Sequence, residues 1–260
     1  MHEGGSDTSS SSLIAFIEAN VLYPEVQLRA REELDRVCGD RLPTMDDEEN
    51  LPYTRACVKE LLRWFPIVTE GLPHAVTKDD VYQGYHIPKG ATVILNIWTI
   101  SRDPSRYKNP RVYDPLRFLG DNTTAAESAM SPDVTKRDHF TFGTGRRICP
   151  GMHVADRTLF LSVSSLLWGF NISKAKRKST GADGKEVWEE ETPDQDVVAE
   201  GLVAKPLPFR AEITPRSEKH AQAIREAWKD CQKLLDEKGQ WKVVPEGMSS
   251  GYTPTADLGY

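Results

Sequence analysis

One cysteine of this 260-residue chain lies in a distinctive loop sequence, Phe142-Gly143-Thr144-Gly145-Arg146-Arg147-Ile148-Cys149-Pro150-Gly151. Its glycines permit backbone angles that other residues resist, so a tight loop can bring N–H groups toward the sulfur. Proline is favoured at a first helical position, and Pro150 precedes an apolar run, so we expect Cys149 at a helix N-terminus. The helix dipole and the nearby charge of Arg147 both favour a thiolate, which can serve as a nucleophile or as a metal ligand.

The loop contains the complete pattern Phe-x-x-Gly-x-Arg-x-Cys-x-Gly, at Phe142, Gly145, Arg147, Cys149 and Gly151. This pattern resembles the haem-binding loop of the cytochrome P450 monooxygenases. The resemblance implies haem b (iron protoporphyrin IX) as cofactor, with Cys149 as the axial ligand of the iron. A thiolate ligand pushes electron density onto iron and favours O–O cleavage. The alternative is a buried free cysteine beside a glycine turn, which leaves the phenylalanine, the glycines and the arginine unexplained.

Composition narrows the classes of function. The chain is 38% hydrophobic and 28% charged, which is ordinary for a globular protein. Its net charge of −6 argues against nucleic acid as a partner. No stretch has the length and apolarity of a membrane span, and no signal peptide is visible. The cysteines have no close pairs and indicate a reducing compartment; they are Cys38, Cys57, Cys149 and Cys231.

Hydrophobic periodicity predicts a fold that is mainly α with small β-sheets. The predicted helices are Pro24–Cys38, Tyr53–Phe65, Ile97–Ile100 and Met152–Gly169. A further helix is predicted to contain the apolar run Leu13–Ile17. Short strands are predicted within Val76–Leu95 and Val187–Ile213, with turns at Gln83-Gly84 and Pro88-Lys89-Gly90. The stretch Arg102–Phe140 lacks clear periodicity and is predicted to be a long loop.

The last segment, Ser217–Tyr260, has a different character. An apolar stripe at spacings of three and four predicts an amphipathic helix that docks on its own domain; its members are Ala221, Ile224, Trp228, Cys231 and Leu235. A coiled-coil partner is the less favoured interpretation, because three or four heptads are usually needed. The final twenty residues are predicted to be a frayed tail.

Glu60 and Arg63 are three residues apart on a predicted helix, so they share a face and can pair. Taken alone, such a pair is most simply an ordinary surface ion pair. A second arginine, Arg117, follows in Pro115-Leu116-Arg117-Phe118. Together the three resemble the Glu-Arg-Arg triad of the P450 family. The resemblance implies a structural role near the haem, in which bidentate arginine–carboxylate bonds fix the irregular loop region to the core.

The segment Gly4-Gly5-Ser6-Asp7-Thr8-Ser9 resembles the oxygen-activating motif of the same family. Adjacent glycines weaken a helix, and we expect a local opening there that leaves room for dioxygen. By resemblance, Thr8 would donate a hydrogen bond to dioxygen and Asp7 would relay protons. The alternative is a helix N-cap, because Ser, Asp and Thr before an apolar run are normal helix starts.

Two further assignments concern the haem propionates. Family members often place a histidine or arginine near the position of His74, and the resemblance implies propionate binding by His74 and by Arg147, since both can donate to carboxylates. Otherwise His74 is an ordinary surface or core histidine. A Cys–His hydrolase would need a base beside Cys149, and His139 and His153 are candidates by sequence distance only.

The resemblance covers residues 4–216, and the sequences of the motifs look closest to those of fungal monooxygenases of the O-methylsterigmatocystin oxidoreductase type. It is carried by Pro73-His74-Ala75-Val76-Thr77, by Tyr85-His86-Ile87-Pro88-Lys89-Gly90 and by the cysteine loop. A full member is about twice as long. We therefore expect residues 1–216 to form the C-terminal half of a P450 domain, beginning in the central oxygen-binding helix, and residues 217–260 to form the amphipathic helix and tail.

Two functions follow from the resemblance. In the first, the chain belongs to a haem-thiolate monooxygenase that inserts one atom of O₂ into an apolar organic substrate, with electrons from an NADPH-dependent reductase. In the second, it is a non-catalytic truncated fragment without the substrate roof and membrane anchor. A haem-thiolate isomerase or dehydratase is disfavoured by Asp7 and Thr8. The family usually acts at the cytosolic face of the endoplasmic reticulum; without an anchor, a cytoplasmic or unassigned location is expected.

Overall fold

Helices supply most of the framework in the computed structural model, which describes residues 2–180, 186–199 and 201–243. The α-helices of this part are α1 (His2–Leu22), α2 (Pro24–Val37), α3 (Pro52–Trp64), α4 (Ile97–Ser101), α5 (Ala125–Ala129), α6 (Met152–Gly169) and α7 (Glu218–Leu234). None of the described helices combines the length and apolar character needed to cross a membrane.

Small antiparallel strand pairs complete the fold, which confirms the predicted class. The strands are β1 (His74–Ala75), β2 (Asp80–Tyr82), β3 (Tyr85–Ile87), β4 (Thr92–Val93), β5 (Phe170–Lys174), β6 (Lys176–Thr180), β7 (Glu186–Glu190), β8 (Val198–Ala199), β9 (Lys205–Pro206) and β10 (Ala211–Pro215). The described pairs are β1 with β4, β2 with β3, β5 with β10, β6 with β7 and β8 with β9. Strands β5 and β6 were not predicted; β6 is polar and almost entirely exposed, so it lacks the alternation of apolar and polar residues that marks a half-buried strand.

The predicted helix boundaries agree closely with the structure. Prolines occupy the first turn of α2 and α3, and α3 ends directly before Phe65 and Pro66. The apolar run at Leu13–Ile17 is part of the longer α1. The turn at Gln83-Gly84 joins β2 to β3, and both residues have positive φ. The stretch Arg102–Phe140 is not entirely a loop, since it contains α5 and 3₁₀ turns at Pro115–Phe118 and Val134–Lys136.

The core lies between α1, α2, α3 and α6. Its largest fully buried apolar side chains include Phe16 from α1, Trp64 from α3, and Phe160 and Trp168 from α6. Each of these helices contacts the other three. The helix α6 that follows the cysteine loop is therefore held on several sides by the core.

The amphipathic helix α7 docks only through its first turns. Ala221 is buried and Ile224 packs against the core, where it meets Gly169 at the end of α6. Trp228 is 59% exposed and Cys231 is also exposed, so the predicted docking of the whole stripe is wrong for its second half. The rest of the predicted tail, residues 244–260, lies outside the described residues.

Candidate functional site

Cys149 lies directly before α6, at the end of the glycine-containing loop. Gly143 and Gly145 have φ angles of 74° and 69°, in the left-handed region that favours glycine. The Cys149 N–H donates to the carbonyl of Phe142 at 2.9 Å and closes the loop. A Cβ atom added to Gly151 would lie 3.8 Å from the Cys149 sulfur. The sulfur is thus close to Gly151, the N-cap of α6, as expected for a cysteine at a helix N-terminus, but the helix begins at Met152 and Pro150 is not its first residue.

The Cys149 side chain borders the core and remains partly accessible. Cys149 and Ile148 pack against the main apolar cluster, and Phe142 belongs to that cluster. Arg147 is exposed, so its guanidinium is available to an anionic group on the solvent side of the loop. A partly exposed thiol close to a helix N-terminus is an environment in which reactive or metal-binding cysteines occur.

Glu60 and Arg63 form a fully buried bidentate pair on α3. The Arg63 Nε donates to Glu60 Oε2 and the Nη2 donates to Oε1, each at 2.7 Å, and both side chains are completely buried. The Arg63 Nη1 also donates to the carbonyls of Ser101 and Pro110, at 2.8 Å each. The alternative of an ordinary surface ion pair is therefore wrong.

Arg117 reaches the same carboxylate from the loop that follows α4. Its Nε donates to Glu60 Oε1 at 3.2 Å, and its Nη2 donates to the carbonyl of Asn109 at 2.8 Å. The Asp114 N–H also donates to Glu60 Oε1, at 2.9 Å. Burial raises the pKa of Glu60, and the charge and hydrogen bonds of Arg63 oppose that shift. The structure thus unites the three predicted residues in one dry cluster that joins α3 to the loop.

The segment Gly4–Ser9 lies inside α1, which begins at His2. The N-cap alternative is therefore wrong for Ser6, Asp7 and Thr8. Asp7 is exposed and Thr8 is half-buried. The Thr8 hydroxyl lies 3.5 Å from the carbonyl of Gly5, and the Ser12 hydroxyl donates to the Thr8 carbonyl at 3.1 Å. The backbone stays helical through the motif, so the expected local opening does not interrupt α1.

His74 lies in β1, opposite Val93 of β4, and its ring is exposed. No hydrogen bond or ion pair joins it to the cysteine loop within the part of the chain that the structure describes. The structure therefore places His74 at the surface and does not bring it together with Arg147.

The two histidines proposed as bases for a hydrolase do not pair with Cys149. The His139 ring is buried and contacts the ring of Phe142 edge-on, with 5.2 Å between centroids. Burial, helped by the charge of Lys59, lowers the pKa of His139 to about 3. His153 is exposed on α6. Among the described residues, no hydrogen bond connects either ring to the Cys149 sulfur.

A family model independently covers most of the chain. Residues 1–187 match the model described as Cytochrome P450. The chain belongs to the cytochrome P450 family. The match includes the cysteine loop, the α3 pair and the glycine segment of α1, so all three P450 motifs named above lie in the matched region.

Curated relatives of this P450 chain are fungal proteins. Cytochrome P450 monooxygenase virE of Hypocrea virens is 50% identical over 256 residues, which are 98% of this chain and 45% of the relative. Cytochrome P450 monooxygenase fsoB of Humicola fuscoatra is 51% identical over 248 residues, which are 95% of this chain and 44% of the relative. The P450 chain therefore spans less than half the length of these relatives.

Solved P450 structures share the fold. A zebra fish cytochrome P450 with progesterone has a TM-score of 0.67 and 29% identity, over 82% of this chain and 43% of the other. A zebra fish cytochrome P450 with abiraterone has a TM-score of 0.66 and 29% identity, over 81% of this chain and 44% of the other. The described architecture therefore corresponds to part of the P450 fold.

Sequence reasoning missed a second buried ionic cluster in this P450 chain. Lys59 precedes Glu60 on α3, and its ammonium lies 2.7 Å from a carboxylate oxygen of Asp121 and 2.7 Å from one of Asp138. Thr141, next to Phe142, donates its hydroxyl to the carbonyl of Leu62 at 2.7 Å. The sequence gave no signal that Lys59 is buried, because Arg55 and Arg63 share its face of the helix and suggest an exposed, charged surface.

Proposed function

We propose that this P450 chain carries the thiolate side of a haem-dependent monooxygenase, with Cys149 as the axial ligand of the iron in haem b. The observation that carries the proposal is the position of Cys149, half-accessible at the start of α6 in the complete P450 loop pattern. When bound, the haem supplies the iron at which dioxygen is activated, and a thiolate ligand favours O–O cleavage.

The residues around Cys149 suit a flat, anionic cofactor. Apart from the adjacent residues in the chain, no described heavy atom lies within 4 Å of a Cβ placed on Gly143 or Gly145, so the glycines leave open space over the loop. Phe142, Gly145 and Gly151 would line the cofactor by analogy with the family pattern, and Phe142 and Gly151 lie next to Cys149 in space. The exposed cations or donors Arg147 and His74 would bind the propionates, and for His74 this requires an anionic group that extends to β1.

Two residues of α1 would contact dioxygen and deliver protons to it. The Thr8 hydroxyl can donate a hydrogen bond toward dioxygen, and the Asp7 carboxylate can accept a proton from solvent and pass it on, since it is exposed. The triad of Glu60, Arg63 and Arg117 touches neither sulfur nor substrate in this assignment. It holds the loop region against α3 and so serves a structural role near the haem.

The wider assignment follows from the family and from the relatives named as monooxygenases. One oxygen atom of O₂ would be inserted into an apolar organic substrate, and an NADPH-dependent reductase would supply electrons. Because the chain spans less than half of its curated relatives, a non-catalytic part of the fold is the competing proposal.

Haem spectroscopy tests the proposal. The full chain is expressed with haem supplied, reduced and exposed to carbon monoxide, and the Soret band is recorded. We expect the red-shifted thiolate band for the wild type and its loss in Cys149→Ser. Cys231→Ser is the matched control, because Cys231 is exposed on α7 and should leave the band unchanged. A wild type that takes up no haem favours the non-catalytic alternative, and an unchanged band in Cys149→Ser refutes the ligand assignment.

A further inference from the structure

The ammonium of Lys59 is the centre of a buried ionic cluster. The side chain is 1% exposed. It donates to Asp121 Oδ2 at 2.7 Å and to the Thr123 carbonyl and hydroxyl at 2.9 and 3.0 Å. It also forms an ion pair with Asp138 Oδ2 at 2.7 Å. A buried ammonium is tolerated only when it is paired and its donors are satisfied, so this arrangement fixes the positions of its partners.

The Asp138 side of the cluster leads directly into the cysteine loop. The Asp138 N–H donates to the Ser128 hydroxyl at 2.9 Å, and the Tyr107 hydroxyl donates to the Asp138 carbonyl at 2.8 Å. Three residues later, Thr141 donates its hydroxyl to the carbonyl of Leu62 on α3 at 2.7 Å. The start of the loop is therefore fastened to α3 at two points, one ionic and one hydrogen-bonded.

The contacts that hold Asp138 are linked to Cys149 through neighbouring residues that pack together. His139 follows Asp138, is buried, and contacts the Phe142 ring edge-on. The Phe142 carbonyl accepts the hydrogen bond from the Cys149 N–H. A movement of Asp138 would therefore shift the ring that supports Phe142 and loosen the bond that closes the loop around the sulfur.

We propose that Lys59 is a positioning residue for Cys149, which it serves by holding the start of the cysteine loop through Asp138. The proposal deepens the proposed function, on which it rests only for the role of Cys149 as iron ligand. It concerns a cluster separate from the triad, because the partners of Lys59 are Asp121, Thr123 and Asp138, whereas Glu60 binds Arg63 and Arg117.

The two carboxylates provide a matched pair of variants. Asp121 and Asp138 lie equally close to the Lys59 ammonium, but only Asp138 leads into the cysteine loop. Asp121 is 36% exposed and accepts a hydrogen bond from Lys59, whereas Asp138 is 9% exposed and contacts Lys59 as an ion pair, so loop exchange is compared after correction for each variant's loss of global stability. Amide hydrogen exchange of the full chain without haem is measured for wild type, Asp138→Asn and Asp121→Asn. We expect Asp138→Asn to speed exchange in residues 139–149 by about tenfold, which is near the lower end of what the loss of one contact to a charged group gives. Asp121→Asn should leave the loop within about twofold of the wild type.

A purely structural role for Lys59 predicts a different pattern, in which both variants change loop exchange equally or in proportion to their loss of global stability. That result would overturn the proposal. If Asp138→Asn does not fold, Lys59→Arg decides, because a guanidinium keeps the charge but cannot gather the same oxygens around one nitrogen. Faster exchange in the loop but not in α6 supports the proposal, and unchanged loop exchange overturns it.

The haem-loaded chain adds a second readout. In Asp138→Asn, the thiolate Soret band of the reduced carbon monoxide complex should decay to the shorter-wavelength form faster than in Asp121→Asn. Equal decay in the two variants contradicts the proposal. If the wild type shows no thiolate band at all, the proposed function fails, and the exchange experiment still decides whether Lys59 holds the loop.

Discussion

Replacement of Glu18 by glutamine should remove a pH-dependent loss of stability. Glu18 lies on α1, is 1% exposed, and faces a cleft of about 470 Å³ that Asp194 also lines. Among the described residues, its Oε2 atom has no hydrogen-bonding partner. Burial, reinforced by the charges of Asp194 and Asp196, raises the pKa of Glu18 from 4.5 to about 7.

The sign of the effect follows from proton binding. Because the folded protein binds the proton of Glu18 more tightly than the unfolded chain does, its stabilising contribution is complete below pH 4.5 and is lost as the pH rises through about 7. At 1.36 kcal/mol per pKa unit, a gap of about 2.5 units sets a ceiling of about 3.4 kcal/mol. The carboxylates of Asp194 and Asp196 are exposed, so water screens their charges, and we expect about 1–2 kcal/mol.

Urea unfolding at pH about 5 and about 7.5, followed by circular dichroism, measures this difference. Between the two pH values, Glu18→Gln should lose about 1–2 kcal/mol less stability than the wild type. Glu32→Gln is the control, because Glu32 is exposed on α2, and it should follow the wild type. If Glu18→Gln and the wild type lose stability in parallel, to within about 0.5 kcal/mol, the reasoning from burial is refuted.

Three further substitutions test the packing around the site by urea unfolding. Gly71→Ala should lower the free energy of unfolding by about 1–2 kcal/mol, because Gly71 has a φ of 61° and its new Cβ would lie 3.3 Å from a backbone carbonyl. Gly84→Ala is the control and should lower it less, because Gly84 has a positive φ but open space around it. Tyr113→Phe should cost about 1–2 kcal/mol, since it leaves the buried Cys57 carbonyl without the hydroxyl that donates to it at 2.8 Å. Arg63→Lys should cost about 2–3 kcal/mol, because a lysine cannot reproduce the bidentate pair and both further carbonyl bonds, and a loss below about 0.5 kcal/mol would contradict the importance of that geometry.

The cysteine loop illustrates what the sequence could predict about the site. Glycines at positive φ, a cation and a helix start are local features, and each follows from a few neighbouring residues. The pairing of Glu60 with Arg63 was also predictable, because three residues on a helix share a face. That this pair is completely buried could not be read from its spacing, since burial depends on Ser101 and Pro110, which belong to another part of the chain.

Two expectations show where local patterns mislead. The apolar stripe of α7 has helical spacing throughout, but only its first turns meet the end of α6, so Trp228 remains exposed. The adjacent glycines of the segment Gly4–Ser9 predicted a local opening, yet the backbone of α1 stays helical through this segment. For α7 the pattern gave the correct helical conformation, while the neighbours available in space decided which of its residues make contacts.

The sequence by itself determined the class of fold and the P450 motifs, and it singled out Cys149 as the candidate iron ligand, because these depend on spacing and on local backbone chemistry. Only the tertiary structure decided that Lys59 is buried between Asp121 and Asp138. It likewise decided that Thr141 is fastened to α3, near the cysteine loop. These contacts join residues that are far apart in the chain, and their strength comes from the exclusion of water, which a linear sequence does not display.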